Sequence, residues 1–144
     1  MAQTYRYDLN ILADTGEGKV LFGQGETSLC GYWEGEACVL SLTQSYRAAF
    51  GMGERFNRVN QKGLTVETEV FEKFCNQGQV SYCPVPFFFT DGGVGLFVDT
   101  LTVVRFSFGD CIKAYIRKDS QGRLPQVYLF MGTPKEILGA FTDI

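Results

Sequence analysis

Histidine is absent from all 144 residues. That gap removes serine–histidine and cysteine–histidine nucleophile pairs, and the usual zinc ligand sets with them. Any chemistry in this chain has to rest on carboxylates, thiols, lysine or tyrosine. The five cysteines, Cys30, Cys38, Cys75, Cys83 and Cys111, do not fill the gap. They are odd in number and form no Cys-x-x-Cys pair, so they read as buried thiols rather than a disulfide framework, a metal site or a redox centre. Such thiols suit a reducing cytoplasm. No block of like charges exists and the net charge is −3, so a basic footprint for a phosphate backbone is missing and nucleic acid is not an expected partner. No apolar stretch approaches the roughly 18 residues of a membrane-crossing helix. The first ten residues lack the cationic and apolar segments of a secretory signal. Neither a catalytic constellation, a metal site nor a cofactor motif is legible.

Aromatic residues and glycine are plentiful: 13 Phe, 7 Tyr and 17 Gly, in a chain the length of one domain. That mixture favours strands and turns. Thr4 to Leu12 and Lys19 to Phe22 flank Asp14-Thr15-Gly16-Glu17-Gly18 and read as a hairpin. Ala37 to Thr43, Tyr46 to Phe50, Leu64 to Glu69, Val85 to Phe89 and Val94 to Asp99 read as further strands, the last two joined across Thr90-Asp91-Gly92-Gly93 with glycines at positive φ. Thr102 to Phe108 puts Val104, Phe106 and Phe108 on one face, and Cys111 to Arg117 does the same with Ile112, Ala114 and Ile116. A Gly109-Asp110 link makes these two a hairpin, and Gln126 to Met131 is the last strand. One helix is expected after Thr133-Pro134-Lys135-Glu136, which has a hydroxyl for the N-cap, proline at the first helical position and glutamate for a capping box. The whole reads as an all-β antiparallel β-sandwich with one short C-terminal helix, a single domain over residues 1–144.

The Phe87-Phe88-Phe89 run must place rings on both faces of its strand. One face is then core, and the other needs a cover, which a further domain would supply. Gly51 and Gly53 allow a bend or a close backbone approach, and the adjacent Glu54-Arg55 reads as a scaffold ion pair.

Four ordered segments carry a resemblance. They are Phe50-Gly51-Met52-Gly53-Glu54-Arg55-Phe56; Asn60 to Glu67; Tyr82-Cys83-Pro84-Val85-Pro86-Phe87-Phe88-Phe89 with Gly92 to Asp99; and Tyr128-Leu129-Phe130-Met131-Gly132-Thr133-Pro134-Lys135-Glu136-Ile137-Leu138. Together, from Tyr46 to Thr142, they resemble the N-terminal, galactose mutarotase-like β-sandwich domain (a supersandwich) of family 31 glycoside hydrolases, the α-glucosidase and α-xylosidase family. The resemblance implies a non-catalytic domain that packs on a catalytic (β/α)8 barrel of the same parent chain, whose substrate is an α-linked oligosaccharide. The nucleophile and acid carboxylates of such enzymes sit on the barrel, roughly 5 Å apart in a retaining enzyme. A barrel needs about 250 residues, more than this chain has. The family's tryptophan-containing nucleophile motif is also not matched around Trp33, so an excised or truncated domain, inactive alone, is expected. The resemblance further implies that the loop between Val70 and Tyr82 reaches the barrel's mouth, with Glu72 as the acidic sugar-binding residue. Beside it Phe71 and Phe74 are the right chemistry for the C–H face of a sugar ring. A free-standing carbohydrate-binding module is the alternative, and would need an exposed platform drawn from Tyr5, Tyr7, Tyr32, Trp33 and Tyr46. Mutarotation, which typically uses histidine with a carboxylate, is disfavoured by the missing histidine.

Overall fold

A computed structural model describes residues 2–12, 18–51, 86–100 and 104–143, together with the backbone of 65–67. Eleven strands are described: β1 (Gln3–Asp8), β2 (Lys19–Gln24), β3 (Thr27–Glu34), β4 (Ala37–Thr43), β5 (Ala49–Gly51), β6 (Thr65–Glu67), β7 (Phe87–Thr90), β8 (Val94–Asp99), β9 (Val104–Phe108), β10 (Cys111–Arg117) and β11 (Gln126–Met131). A 3-10 turn covers Leu9–Leu12, and helix α1 covers Pro134–Thr142. All pairings among the described residues are antiparallel, in a five-stranded sheet of order β1-β11-β8-β7-β5 and a six-stranded sheet of order β2-β3-β4-β10-β9-β6. The expected sandwich with one C-terminal helix is therefore the fold. No described helix is long and apolar enough to cross a membrane.

The core lies between the sheets. Leu29, Cys38, Leu40 and Leu42 from one side of the six-stranded sheet join Val104, Phe106, Phe108, Ile112, Ala114 and Ile116. They meet Phe88, Val94, Leu96, Val98, Val127 and Leu129 of the facing sheet. Each fully buried large side chain contributes about 1.5–3 kcal/mol relative to exposure. Phe88 joins the layers: its ring meets Phe106 at 5.6 Å and Phe108 at 5.2 Å, both edge to face, the geometry the ring quadrupoles favour.

A second, smaller core lies outside the five-stranded sheet. Phe87, Phe89 and Phe130 point away from the sandwich and are sealed by Ile137 of α1. Phe141 stacks on Phe87 with centroids 4.1 Å apart and planes 4° from parallel. The helix comes this close because β8 has Gly95 beneath it, where a Cβ would stand 2.6 Å from the Ile137 methyl. The cover expected from another domain is thus supplied over Phe87 and Phe89 by the chain's own helix. The capping box forms as read: Glu136 N–H donates to Thr133 Oγ1 at 3.2 Å, and Thr133 N–H donates to Glu136 Oε1 at 3.0 Å.

Other expectations need correction. Thr4–Leu12 and Lys19–Phe22 are not a hairpin, because β1 pairs with β11 and β2 pairs with β3 in the opposite sheet. Burying Leu9 and Leu12 bends the chain into the 3-10 turn and carries it from one layer to the other. Asn10 clips that crossing, donating from Nδ2 to the Leu124 carbonyl and accepting from the Leu124 N–H, both at 2.9 Å. Strand β3 was not expected at all. Its inward positions include Thr27 and Gly31, which blur the apolar alternation. Gly31 must stay small because a Cβ there would lie 2.5 Å from Leu12 Cδ1. In the β9–β10 hairpin the first registered pair is Phe108 with Ile112, one residue wider than a two-residue Gly-Asp link.

Gly51, at φ +143°, is the position where only glycine fits, because a Cβ would run into the Phe87 carbonyl oxygen and lie 2.7 Å from Phe88 Cα. Gly51→Ala is expected to destabilise the chain by about 2–4 kcal/mol, from backbone strain and overpacking against β7 together. The midpoint of urea unfolding measures it; a shift equivalent to less than about 0.5 kcal/mol would show the contact to be slack.

Candidate functional site

The sugar-contacting residues inferred from sequence, Phe71, Glu72 and Phe74, lie outside the described residues, as do Glu54 and Arg55. What is described is the frame from which those segments leave and to which they return. Gly51 ends β5 at one edge of the five-stranded sheet, β6 forms an edge of the six-stranded sheet, and Pro86 leads into β7. Pro86 sits where its missing N–H costs nothing, and its carbonyl accepts from Val98 N–H at 2.9 Å.

A polar latch holds this edge. Asp91 Oδ1, in the β7–β8 turn, accepts from the Arg47 and Ala48 N–H groups at 2.9 and 3.1 Å, and the Asp91 N–H donates to the Ala48 carbonyl at 3.0 Å. Those bonds explain why the strand expected over Tyr46–Phe50 begins only at Ala49: two of its N–H groups serve a side chain instead of a ladder. The fully buried Thr90 donates to Gln44 Oε1 at 2.7 Å, and Gln44 Nε2 donates to the Gly92 carbonyl at 3.0 Å. Gly93 takes the positive φ (+86°), whereas Gly92 makes room, a Cβ there lying 2.9 Å from Gln44. Partial desolvation pushes the Asp91 carboxyl up. The N–H donors and the Arg47 charge outweigh it and hold the group below its ordinary value.

The aromatic residues considered as a binding platform do not share a face. Tyr46 is buried and donates to the Gly109 carbonyl at 2.6 Å. Tyr5 and Tyr7 pack from β1 against the main core, Tyr5 lying 5.0 Å from the Phe22 ring. Trp33 packs against the same core at the end of β3, while Tyr32 points the opposite way along that strand. Trp33 lines an open cleft of about 420 Å³ shared with Gly35, Glu36, Arg117 and Lys118. Its Nε1–H donates to the Leu12 carbonyl at 2.6 Å, and Lys118 Nζ sits 5.4 Å from its ring centroid. Trp33, which does not match the family's nucleophile motif, is the member of the expected platform that faces this cleft. The Trp-Glu-Gly-Glu turn, a glycine between two strand-like runs, was the signal that this ring would stand at a strand end.

Among the described residues, no three acidic or thiol side chains come together to hold a metal. Burial pushes the Cys38 thiol up to about 11, which leaves it protonated and unreactive near neutral pH.

Comparison with known proteins follows the same architecture. The model of the glycosyl hydrolase 31 N-terminal galactose mutarotase-like domain matches residues 13–106, nearly two thirds of the chain. This span extends further toward the N-terminus than the sequence motifs and stops short of the last of them. The α-xylosidase XylQ of Lactiplantibacillus pentosus is 31% identical over 96 residues, covering 66% of this chain and 12% of that protein. An isomaltosyltransferase of Sporosarcina globispora is 35% identical over 57 residues, covering 40% of this chain and 5% of that protein. A mutant of Kfla1895 superposes with a TM-score of 0.61 at 21% identity, over 99% of this chain and 21% of its own. The cycloalternan-forming enzyme of Listeria monocytogenes gives a TM-score of 0.51 at 14% identity, over 99% of this chain and 22% of its own. These two share the fold. The chain spans about an eighth of the length of the xylosidase it matches.

The latch has a pH signature. A carboxyl held below its unfolded value contributes stability above that value, near 4, and loses it as pH falls through the folded one. Unfolding midpoints in urea should therefore drop between about pH 5 and pH 3, and Asp91→Asn, which keeps an acceptor oxygen, should flatten part of that fall. An acid limb identical in wild type and variant would exclude Asp91 from it.

Proposed function

This chain belongs to the glycosyl hydrolase 31 N-terminal galactose mutarotase-like domains, and from that premise we propose that it is the non-catalytic sandwich of a retaining α-glycosidase acting on α-glucosides or α-xylosides. In this reading it packs on a catalytic (β/α)8 barrel of the same parent chain. The barrel provides the nucleophile and acid carboxylates, and the sandwich lends the segment containing Phe71, Glu72 and Phe74 to the substrate pocket. The ionised Glu72 accepts hydrogen bonds from sugar hydroxyls, and the two phenylalanines offer apolar surface to the ring's C–H face. The compartment that suits the free thiols is the cytoplasm.

The observation that carries the proposal is the family match over most of a chain that amounts to only 12% of its α-xylosidase relative. Two features support it. The chain contains no histidine with which to build an acid–base pair of its own. The rim of the outer aromatic core, Phe50, Phe97, Tyr128 and Phe141, is half-buried and leaves apolar surface beside α1 for a neighbouring domain. A free-standing carbohydrate-binding module fits less well, because Tyr5, Tyr7, Tyr32, Trp33 and Tyr46 are divided between faces and interior.

The purified chain is expected to release no nitrophenol from nitrophenyl α-glucoside or α-xyloside, whereas the chain expressed with the barrel following it in its gene does. Robust hydrolysis by the chain alone, or a gene with no barrel-length segment, overturns the proposal. In the barrel-containing enzyme, Glu72→Ala should lower kcat/KM by roughly 1–3 kcal/mol of transition-state binding. An unchanged value removes Glu72 from the pocket.

A further inference from the structure

We infer that the cleft at Trp33 is a second carbohydrate-contact site, separate from the pocket loop, that takes a neutral α-linked gluco- or xylo-oligosaccharide. The choice of α-linked sugars rests on the reading under Proposed function. The site itself stands on its own residues.

Three observations carry it. The indole is anchored: Nε1 is committed to the Leu12 carbonyl at 2.6 Å and part of the ring is packed on the main core, so the ring is presented in a fixed orientation. A rigid aromatic surface at a cleft mouth is what the C–H face of a pyranose needs, at little entropic cost to the protein. The cleft, about 420 Å³, matches a small-ligand site in size. Its charged lining has both signs, with Glu36 on the β3–β4 turn and Arg117 and Lys118 at the end of β10. The carboxylate opposes an anionic ligand and the two cations oppose a cationic one. A neutral polyol uses both signs, giving hydroxyl protons to Glu36 and taking N–H donors from Arg117. Lys118 now rests 5.4 Å from the ring centroid, an exposed cation–π contact weak enough for a sugar ring to displace to the rim.

Trp33 is the single tryptophan, so its fluorescence reports this cleft alone. Titrating the 144-residue chain with maltotriose, isomaltotriose and a xylosyl oligosaccharide should give a saturable emission change for at least one, half-complete at millimolar concentration. Mannitol, a polyol without a ring face, should give none. Glu36→Ala and Arg117→Ala, both at exposed positions, should each raise Kd roughly tenfold. Lys118→Ala should leave Kd unchanged or lower it. The inference is overturned if no oligosaccharide gives saturation, if mannitol acts alike, or if Glu36→Ala and Arg117→Ala both bind as wild type does. None of these failures touches the dependence of hydrolysis on a barrel, so the two proposals fall separately.

Discussion

The double burial of β7 is the constraint on which the rest of the structure depends. Phe87, Phe88 and Phe89 are consecutive and all essentially buried, which a strand allows only if both faces of its sheet are covered. Phe88 turns inward and locks the five-stranded sheet to Phe106 and Phe108 of the other layer. Phe87 and Phe89 turn outward and require the helix, which Gly95 admits and the capping box starts at the right residue. Sheet packing, helix docking and the position of β5, pressed against β7 at Gly51, follow from where these three rings go.

The molecule is accordingly asymmetric in its chemistry. The edge at β5 and the β7–β8 turn is held by directional polar bonds through Asp91, Gln44 and Thr90. Directional bonds fix a backbone more narrowly than apolar packing does. That is the edge from which the segments with the family's loop residues depart. The opposite edge, where β1 and β2 end the two sheets, is closed by the Tyr5–Phe22 contact and by the Asn10 clip. There β2 is guarded by Lys19 and by a register shift between Val20 and Phe22, features that discourage pairing with another chain. Trp33 stands between these regimes, tied to the 3-10 turn yet open to solvent on the cleft side.

Much of the strand content was legible because β8, β10 and β11 follow a clean alternation or an unbroken apolar run. Their bounds agree with the residues read from pattern alone. The helix was legible for a different reason: its start is encoded in four adjacent residues whose bonds are local. Strand β3 was illegible because two of its inward positions are Thr27 and Gly31, the second of which leaves room for Leu12 rather than adding apolar surface. The candidate site was less readable still. Glu72, Phe71 and Phe74 come from likeness to a family and lie outside the described residues. The Trp33 cleft joins residues some eighty positions apart, which no local pattern announces.

The sequence by itself determined the all-β class, the helix and its cap, the inward faces of β9 and β10 and the family resemblance, because each rests on neighbours a few residues apart. It also excluded histidine-based chemistry outright. Tertiary structure alone decided that β1 and β2 belong to different layers, that the outward phenylalanines meet the chain's own helix, and that Trp33 shares a cleft with Arg117 and Lys118. Those outcomes depend on which distant side chains compete for the same buried space, and pattern along the chain carries no record of that competition.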